Sequence, residues 1–265
     1  SVLPERLRLF TTEYCAQKPL PRTLMLSGTR GCGKTTFLLH HSMNKRMLYF
    51  SADNPKYINE SLYDIVSFIF MQGYEGVIID EIHFASQWSL HLKALYDDFP
   101  EKFIWVSDSS SLVLRLGEGD LSRRFVPIKM PMMSFREFLY LETGKVYPVY
   151  TLGDSALPVQ PGAELLNLFQ QYRSHGTRPF FQESDYEARY MAIIDKMLDR
   201  DIPFFVPNVS DNNLRVMRAI IGSLANASVP RIQVRALCTD WGIGADKLYQ
   251  LLFVMEKIDL IRVVR

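Results

Sequence analysis

The stretch Ser27-Gly28-Thr29-Arg30-Gly31-Cys32-Gly33-Lys34-Thr35-Thr36 contains the pattern G-x-x-x-x-G-K-[ST], and this pattern dictates its own surroundings. Before it, Thr23-Leu24-Met25-Leu26 is an apolar run that reads as a buried strand; after it, Phe37-Leu38-Leu39-His40-His41 continues as a helix. Strand, glycine loop and helix in that order is the context a phosphate-binding loop requires. Gly28, Gly31 and Gly33 let the backbone turn where a side chain would hinder it. The N–H groups of the loop, including those of Thr29, Arg30, Cys32 and Thr36, then face inward, toward the positive end of the helix dipole. Lys34 adds a mobile charge for the β- and γ-phosphates, and the Thr35 hydroxyl is a magnesium ligand. Cys32 fills a variable position. The plain alternative for the loop alone is a glycine-rich turn.

A second signal decides between them. Gly76-Val77-Ile78-Ile79-Asp80-Glu81-Ile82-His83 is an unbroken apolar run that ends in acids, the pattern of a parallel strand covered on both faces. In open α/β sheets ligands bind at the carboxyl ends of the strands. Asp80 is placed to hold magnesium, and Glu81 to polarise a water attacking the γ-phosphate. A strand merely capped by two acids is the plain alternative. Loop and acidic strand together predict an ATP site with Mg2+. His83 either relays the state of Glu81 or is an ordinary polar residue after a strand.

The remaining pattern alternates strands and helices. Strands are expected at Arg46–Ser51, Lys102–Val106 and Arg124–Ile128, and a helix leans on the sheet within residues 1–21. Further helices are expected at Ser61–Gln72 and from Trp88 to Pro100. This is a doubly wound parallel α/β sheet. The cluster Ser107-Asp108-Ser109-Ser110-Ser111 follows one strand at the ligand edge. Ser107 or Ser109 can report the γ-phosphate there, while capping of a helix is the duller use of such residues. Arg123 and Arg124 precede the last strand; either a phosphate contact, in the same subunit or a neighbour's, or a surface position fits them.

The 265 residues suit one large domain or two smaller ones, and 48% hydrophobic content supplies a core. With 30 basic and 29 acidic residues, no global field points to nucleic acid or membrane. Cys15, Cys32 and Cys238 make neither a disulfide framework nor a zinc site, which suits a cytoplasmic location. No apolar run reaches membrane-spanning length, so no membrane partner is expected. The chain opens on Ser1 rather than Met and stops at Val264-Arg265, and reads as a shortened or stand-alone form.

Residues 145–161, with three prolines, glycines in and beside the stretch and no periodicity, read as a linker after an ATPase domain at 1–144. Helical stripes (Leu165, Leu168, Tyr172; Tyr190, Ile194, Met197; Leu214, Met217, Ile221) then suggest a helical lid at 162–228. At 229–265, Ile232–Cys238, a turn through Gly242 and Gly244, Ala245–Met255 and a strand at Ile258–Val264 read as a winged helix-turn-helix. Its second helix offers Asp246, Lys247, Tyr249 and Gln250, with Arg231, Arg235, Arg262 and Arg265 around it. That supports modest, salt-sensitive contact with duplex DNA, or a lid that packs on the ATPase.

Five segments carry a family resemblance: Gly28 to Thr35, Ile79-Asp80-Glu81, Ser107 to Ser111, Ser122-Arg123-Arg124 and Pro131-Met132-Met133-Ser134-Phe135-Arg136-Glu137-Phe138. With Tyr172 to Phe180 they resemble the AAA-type prokaryotic P-loop ATPases, related to the archaeal ATPase and STAND groups. The family usually has Gly where Asp108 and Thr177 stand. The resemblance implies an additional strand lying between the loop strand and the acidic strand. It places Gly176 and Pro179 near the nucleotide base; a turn between helices is the plain reading of that segment. It also implies a C-terminal winged helix, commonly followed by a nuclease-like domain. The expected function is an ATP-hydrolysing molecular switch, with homo-oligomers, another protein or DNA as open partners. The alternatives are a nucleotide-gated DNA-binding module with slow or absent hydrolysis, and a small-molecule kinase.

Overall fold

Five apolar runs become five parallel strands: β1 Thr23–Ser27, β2 Met47–Ser51, β3 Gly76–Asp80, β4 Phe103–Asp108 and β5 Val126–Lys129. They are seen in a computed structural model that describes residues 3–14, 16, 19–109, 121–149, 162–206, 209–227 and 231–264. Strand order is β2-β3-β4-β1-β5, so β4 lies between the loop strand and the acidic strand, as the resemblance implied. Register runs Thr23↔Ile104 through Ser27↔Asp108 on one side of β1 and Leu24↔Val126 through Ser27↔Lys129 on the other.

Parallel neighbours need crossovers, and helices supply them. α1 (Leu9–Glu13) precedes the sheet; α2 (Lys34–Ser42), α3 (Leu62–Met71) and α4 (Trp88–Asp98) connect successive strands from β1 to β4. Every residue of β1 and β3 is buried, which explains why these strands are continuous apolar runs rather than alternating ones. Leu24, Leu26, Phe37, Leu38, Ile78 and Trp105 form one cluster across the sheet. The Trp105 indole N–H is satisfied by the Pro21 carbonyl at 3.0 Å.

Several boundaries differ from expectation. α1 begins only at Leu9, so Leu3 and Leu7 lie outside it. β4 continues past Val106 through Ser107 and Asp108, because both pair in register with β1 and their buried polar atoms find partners in the site. β5 starts at Val126, since Arg124 and Phe125 both donate backbone N–H groups to the Leu121 carbonyl in a turn.

After β5 comes α5 (Phe135–Thr143), with a capping box: the Glu137 N–H donates to Ser134 Oγ, and the Ser134 N–H donates to the Glu137 carboxylate. Glu137 also closes a buried ion pair. Arg8 Nε and Nη2 each reach one carboxylate oxygen at 2.9 Å, and Arg8 Nη1 donates to the carbonyls of Cys32 at 2.7 Å and Pro131 at 3.0 Å. α6 (Ala163–His175) follows, and Tyr172 from it joins Phe138 and Phe181 in a second apolar cluster.

The chain divides into two compact units, Ser1–Tyr186 and Glu187–Arg265. α7 (Tyr186–Lys196) runs across that boundary. The second unit continues through a π-helical turn at Met197–Asp201 to α8 (Ile202–Phe205), α9 (Asp211–Asn226), α10 (Val234–Trp241) and α11 (Ala245–Lys257). Its core holds Met197, Leu198, Val216, Ile220, Leu248 and Met255. Gly242, at φ 59, ends α10, and Gly244 caps α11, giving a helix–turn–helix. The strand expected at Ile258–Val264 does not form. The described residues of this unit include no strand to complete a ladder, and Leu260 N–H instead turns back to the Met255 carbonyl at 2.9 Å.

Glu137 tests the pair. Burial pushes its carboxyl up, but the Arg8 guanidinium, with the Ser134 and Phe10 N–H groups, outweighs burial and holds it below its usual value. A depressed folded-state pKa adds stability that is complete above the unfolded carboxyl range near ~4.3 and is lost as pH falls through the lower folded value. Glu137→Gln should cost about 3–5 kcal/mol at neutral pH, because Arg8 stays buried without its counter-charge. Urea unfolding at pH 7 and pH 3.5 should show a wild-type-to-mutant gap that narrows in acid.

Candidate functional site

The loop between β1 and α2 is shaped by what its glycines avoid. A Cβ on Gly28 would stand 2.7 Å from the Met130 carbonyl, and Gly33 takes φ 104 just before the helix begins. Cys32 is fully buried and belongs to the sheet core. Lys34 folds back over the loop, its Nζ donating to the carbonyls of Gly28 at 2.8 Å and Thr29 at 3.3 Å. The Thr29 hydroxyl is buried and has no hydrogen-bond partner among the described residues. The Lys34 ammonium and the N-terminus of α2 lie together at this loop, an arrangement that suits an anion, while the Cys32 N–H, expected to face inward, turns to the Thr29 carbonyl at 3.2 Å.

The carboxyl ends of β3 and β4 face this loop. Asp80 accepts from Ser107 Oγ at 2.6 Å, Thr35 Oγ1 at 2.7 Å, the Glu81 N–H at 3.0 Å and the Tyr49 hydroxyl at 3.2 Å. Burial pushes the Asp80 carboxyl up, but Ser107, the Lys34 charge and the Thr35 hydroxyl outweigh it and keep the group ionised. Burial, followed by the Asp80 charge, raises the Tyr49 phenol, which stays a proton donor.

Glu81 has a left-handed backbone, φ 50 and ψ 50. Its carboxylate meets the Arg30 guanidinium, Nη1 to Oε1 at 2.5 Å and Nη2 to Oε2 at 3.3 Å, and Ser109 Oγ donates to Oε2 at 3.1 Å. Burial raises its pKa, Arg30 opposes that, and the charges of Asp108 and Asp80 add to it; the net direction is up. His83, buried, has Nδ1 2.7 Å from Asp108 Oδ2 and 3.8 Å from Glu81 Oε2. One ligand atom each from Glu81, His83 and Asp108 falls within a 4.8 Å cluster.

Most of the residues expected from sequence meet here: Lys34, Thr35, Asp80, Glu81, Ser107 and Ser109. The two serines divide the work, Ser107 on Asp80 and Ser109 on Glu81. Ser110 and Ser111 lie outside the described residues. Arg124 is elsewhere. Its carbonyl accepts from Thr23, the first residue of β1, so it sits at the sheet edge opposite the loop, paired with Asp97 at 3.0 Å. Arg123 is exposed beside it. Neither reaches the loop of its own chain.

Pro179 lines a cleft of about 360 Å³ together with Leu7, Arg8, Thr11, Gly33 and Thr36. Gly176 is not among its lining residues; a Cβ there would lie 2.5 Å from the Tyr172 Cα and 2.8 Å from the Phe138 ring, so its place is a close helix approach. Sequence reasoning missed Arg8 and Tyr49 as neighbours of the site, and the pairing of Asp108 with His83. The two acceptors of Tyr49 and His83 are acids already singled out, but nothing local marks the approach.

Comparisons with known proteins bear on this geometry. Residues 21–139, which contain the loop and both site strands, match the family model described as AAA domain. An uncharacterized protein of Methanocaldococcus jannaschii is 31% identical over 267 residues, an alignment that takes in 90% of this chain and 55% of that protein. The chain thus spans about half the length of the curated relative it matches. Among solved structures, a RuvB variant of Thermotoga maritima aligns with TM-score 0.44 and 15% identity, covering 95% of this chain and 82% of that one. A Walker-type ATPase of Pyrococcus abyssi aligns with TM-score 0.49 and 13% identity, covering 94% and 87%. No described helix is long and apolar enough to cross a membrane. Residues 21–139, the part of the chain that carries the loop and both site strands, are thus similar to an AAA domain.

Proposed function

We propose that the chain is an ATP-hydrolysing molecular switch that uses magnesium. One observation carries this: Thr35 of the loop, Asp80 of β3 and Ser107 of β4 are joined hydroxyl–carboxylate–hydroxyl, with Glu81 one residue on. The hard oxygens of Thr35 and Asp80 fit magnesium, and an ionised Asp80 suits that use. Bound there, the ion would neutralise phosphate charge and orient the triphosphate. Lys34 and the loop amides hold the phosphates. The cleft beside Gly33, Thr36 and Pro179 is continuous with the loop and takes the base.

In hydrolysis a water attacks the γ-phosphorus, Glu81 takes its proton, and the bond from the γ-phosphorus to the bridging oxygen breaks, leaving ADP and phosphate. Ser107 and Ser109 hold the two carboxylates and so register changes at the phosphate. Arg123 and Arg124, at the far sheet edge, act on a neighbouring subunit in a homo-oligomer. Functionally the parts are an ATPase core at 1–144, a linker at 145–161, a helical lid at 162–228 and a C-terminal helix–turn–helix part at 229–265. Nucleotide state biases the last two.

A second reading, a nucleotide-gated binder of duplex DNA, draws on exposed Arg231, Arg235, Arg262 and Lys247 in the second unit. Under it, fluorescence anisotropy of a duplex should rise with protein at low salt, fall at high salt and respond to ATP. An anisotropy that stays flat at low salt removes this reading.

Lys34→Ala should abolish ATP binding by calorimetry; wild-type affinity in that variant would sink the loop assignment. Glu81→Gln should bind ATP yet lose about 10²–10³-fold in turnover, the scale of a lost general base. Turnover per chain should also rise with protein concentration in wild type, and Arg123→Ala with Arg124→Ala should remove that rise. A rise that survives both changes would place the arginine role elsewhere.

A further inference from the structure

The loop holds one cation besides Lys34, and the structure spends it on the general base. Arg30 and Glu81 are 7% and 13% exposed as residue and side chain, and the contact is fork to fork, covering both carboxylate oxygens. Ser109 adds a third contact on Oε2. Of the roughly four lone-pair positions on this carboxylate the guanidinium and Ser109 take three, which leaves fewer for an attacking water. At the same time, Arg30 belongs to the loop that cradles phosphate, and a guanidinium matches phosphate as well as it matches carboxylate. Glu81 follows Asp80 directly, and Asp80 touches Thr35, so the Arg30 head lies in the cluster where phosphate charge arrives.

Resting on the ATP reading above, we propose that Glu81 and the bound triphosphate compete for the Arg30 guanidinium, so that Arg30 is a latch on the general base. With the guanidinium on Glu81, the carboxylate is held by Arg30 and Ser109 together. With the guanidinium on phosphate, Ser109 stays on Oε2 of Glu81, whose other oxygen is then open to water. Arg30 is thus a positioning residue that ties base release to occupation of the loop. By linkage the competition is reciprocal: weakening Glu81 as a partner must strengthen phosphate binding by the same factor.

That reciprocity is testable by binding alone, without turnover. Titrate AMP-PNP with Mg2+ into wild type, E81Q, R30M and the R30M/E81Q double variant by calorimetry, with thermal melts to confirm folding. Removing the competing charge in E81Q should tighten AMP-PNP about tenfold, a typical coupling. R30M should bind more weakly than wild type, and adding E81Q to it should give no further gain. The latch is overturned if E81Q binds like wild type, or if it tightens equally with and without Arg30. Should R30M fail to fold, R30K decides: a lysine cannot hold both oxygens, so the E81Q gain must shrink severalfold there, and an undiminished gain refutes the latch. Failure of wild type itself to bind AMP-PNP would fall on the ATP reading, and the latch with it; binding without coupling falls on the latch alone.

Discussion

A single buried guanidinium fastens the nucleotide loop to the rest of the first unit. Arg8 comes from a segment before the sheet, pairs with Glu137 of α5, and donates to the Cys32 carbonyl inside the loop and to Pro131 after β5. Its four contacts hold three pieces of chain that are far apart in sequence. Holding the Cys32 carbonyl outward matters for the loop, since an amide plane whose oxygen is fixed on one side presents its N–H on the other. Glu137 is shared further with the Ser134 and Phe10 N–H groups, so the same carboxylate starts α5 and anchors α1. A pair of charges taken out of water is worthwhile only with all its hydrogen bonds made, and here they are made.

The site applies the same rule at the strand ends. Asp80, Asp108 and Glu81 are three acids within a small volume, and each has a partner: Asp80 the hydroxyls of Ser107, Thr35 and Tyr49, Asp108 the ring and N–H of His83, Glu81 the Arg30 guanidinium. This pairing is why β4 runs two residues beyond its apolar part. Ser107 and Asp108 are fully buried polar residues that a strand tolerates because the neighbouring strand end supplies their partners. It also separates the two acids chemically. Asp80, surrounded by donors that outweigh its burial, is held low, while Glu81, raised first by burial and then by the charges of Asp108 and Asp80, is held high, a division that suits one for a cation and the other for a proton.

How much of this was readable from sequence depends on range. The loop, β1, β3 and the Asp80-Glu81 pair were legible because each is a contiguous pattern with its own periodicity or spacing. Ser107 and Ser109 were legible as a cluster at an edge, but not which acid each would meet, since that depends on register between β3 and β4. Arg8, Tyr49 and Arg30 were invisible as partners. Arg8 and Glu137 are 129 positions apart, and nothing in either neighbourhood announces the other. The strand expected at Ile258–Val264 failed for the opposite reason. Its β-branched pattern was locally right, yet a strand needs a second strand, and pattern alone does not say whether one is there.

Glu81 shows where local preference yields to the site. A left-handed backbone at a residue that is neither glycine nor asparagine costs roughly 1–2 kcal/mol. Such a conformation persists only when its surroundings over-determine it, and these do. Its N–H is held by Asp80 Oδ1 at 3.0 Å, its carbonyl accepts from the Phe84 N–H at 3.1 Å, and its carboxylate is held by Arg30 and Ser109. Backbone and side chain are therefore pinned by different partners. The backbone pins come from Asp80 and the turn after β3, whereas the side-chain pins come from the loop and β4. Only the second set involves a group that phosphate can claim. The left-handed backbone of Glu81 therefore does not depend on the Arg30 contact that restrains its carboxylate.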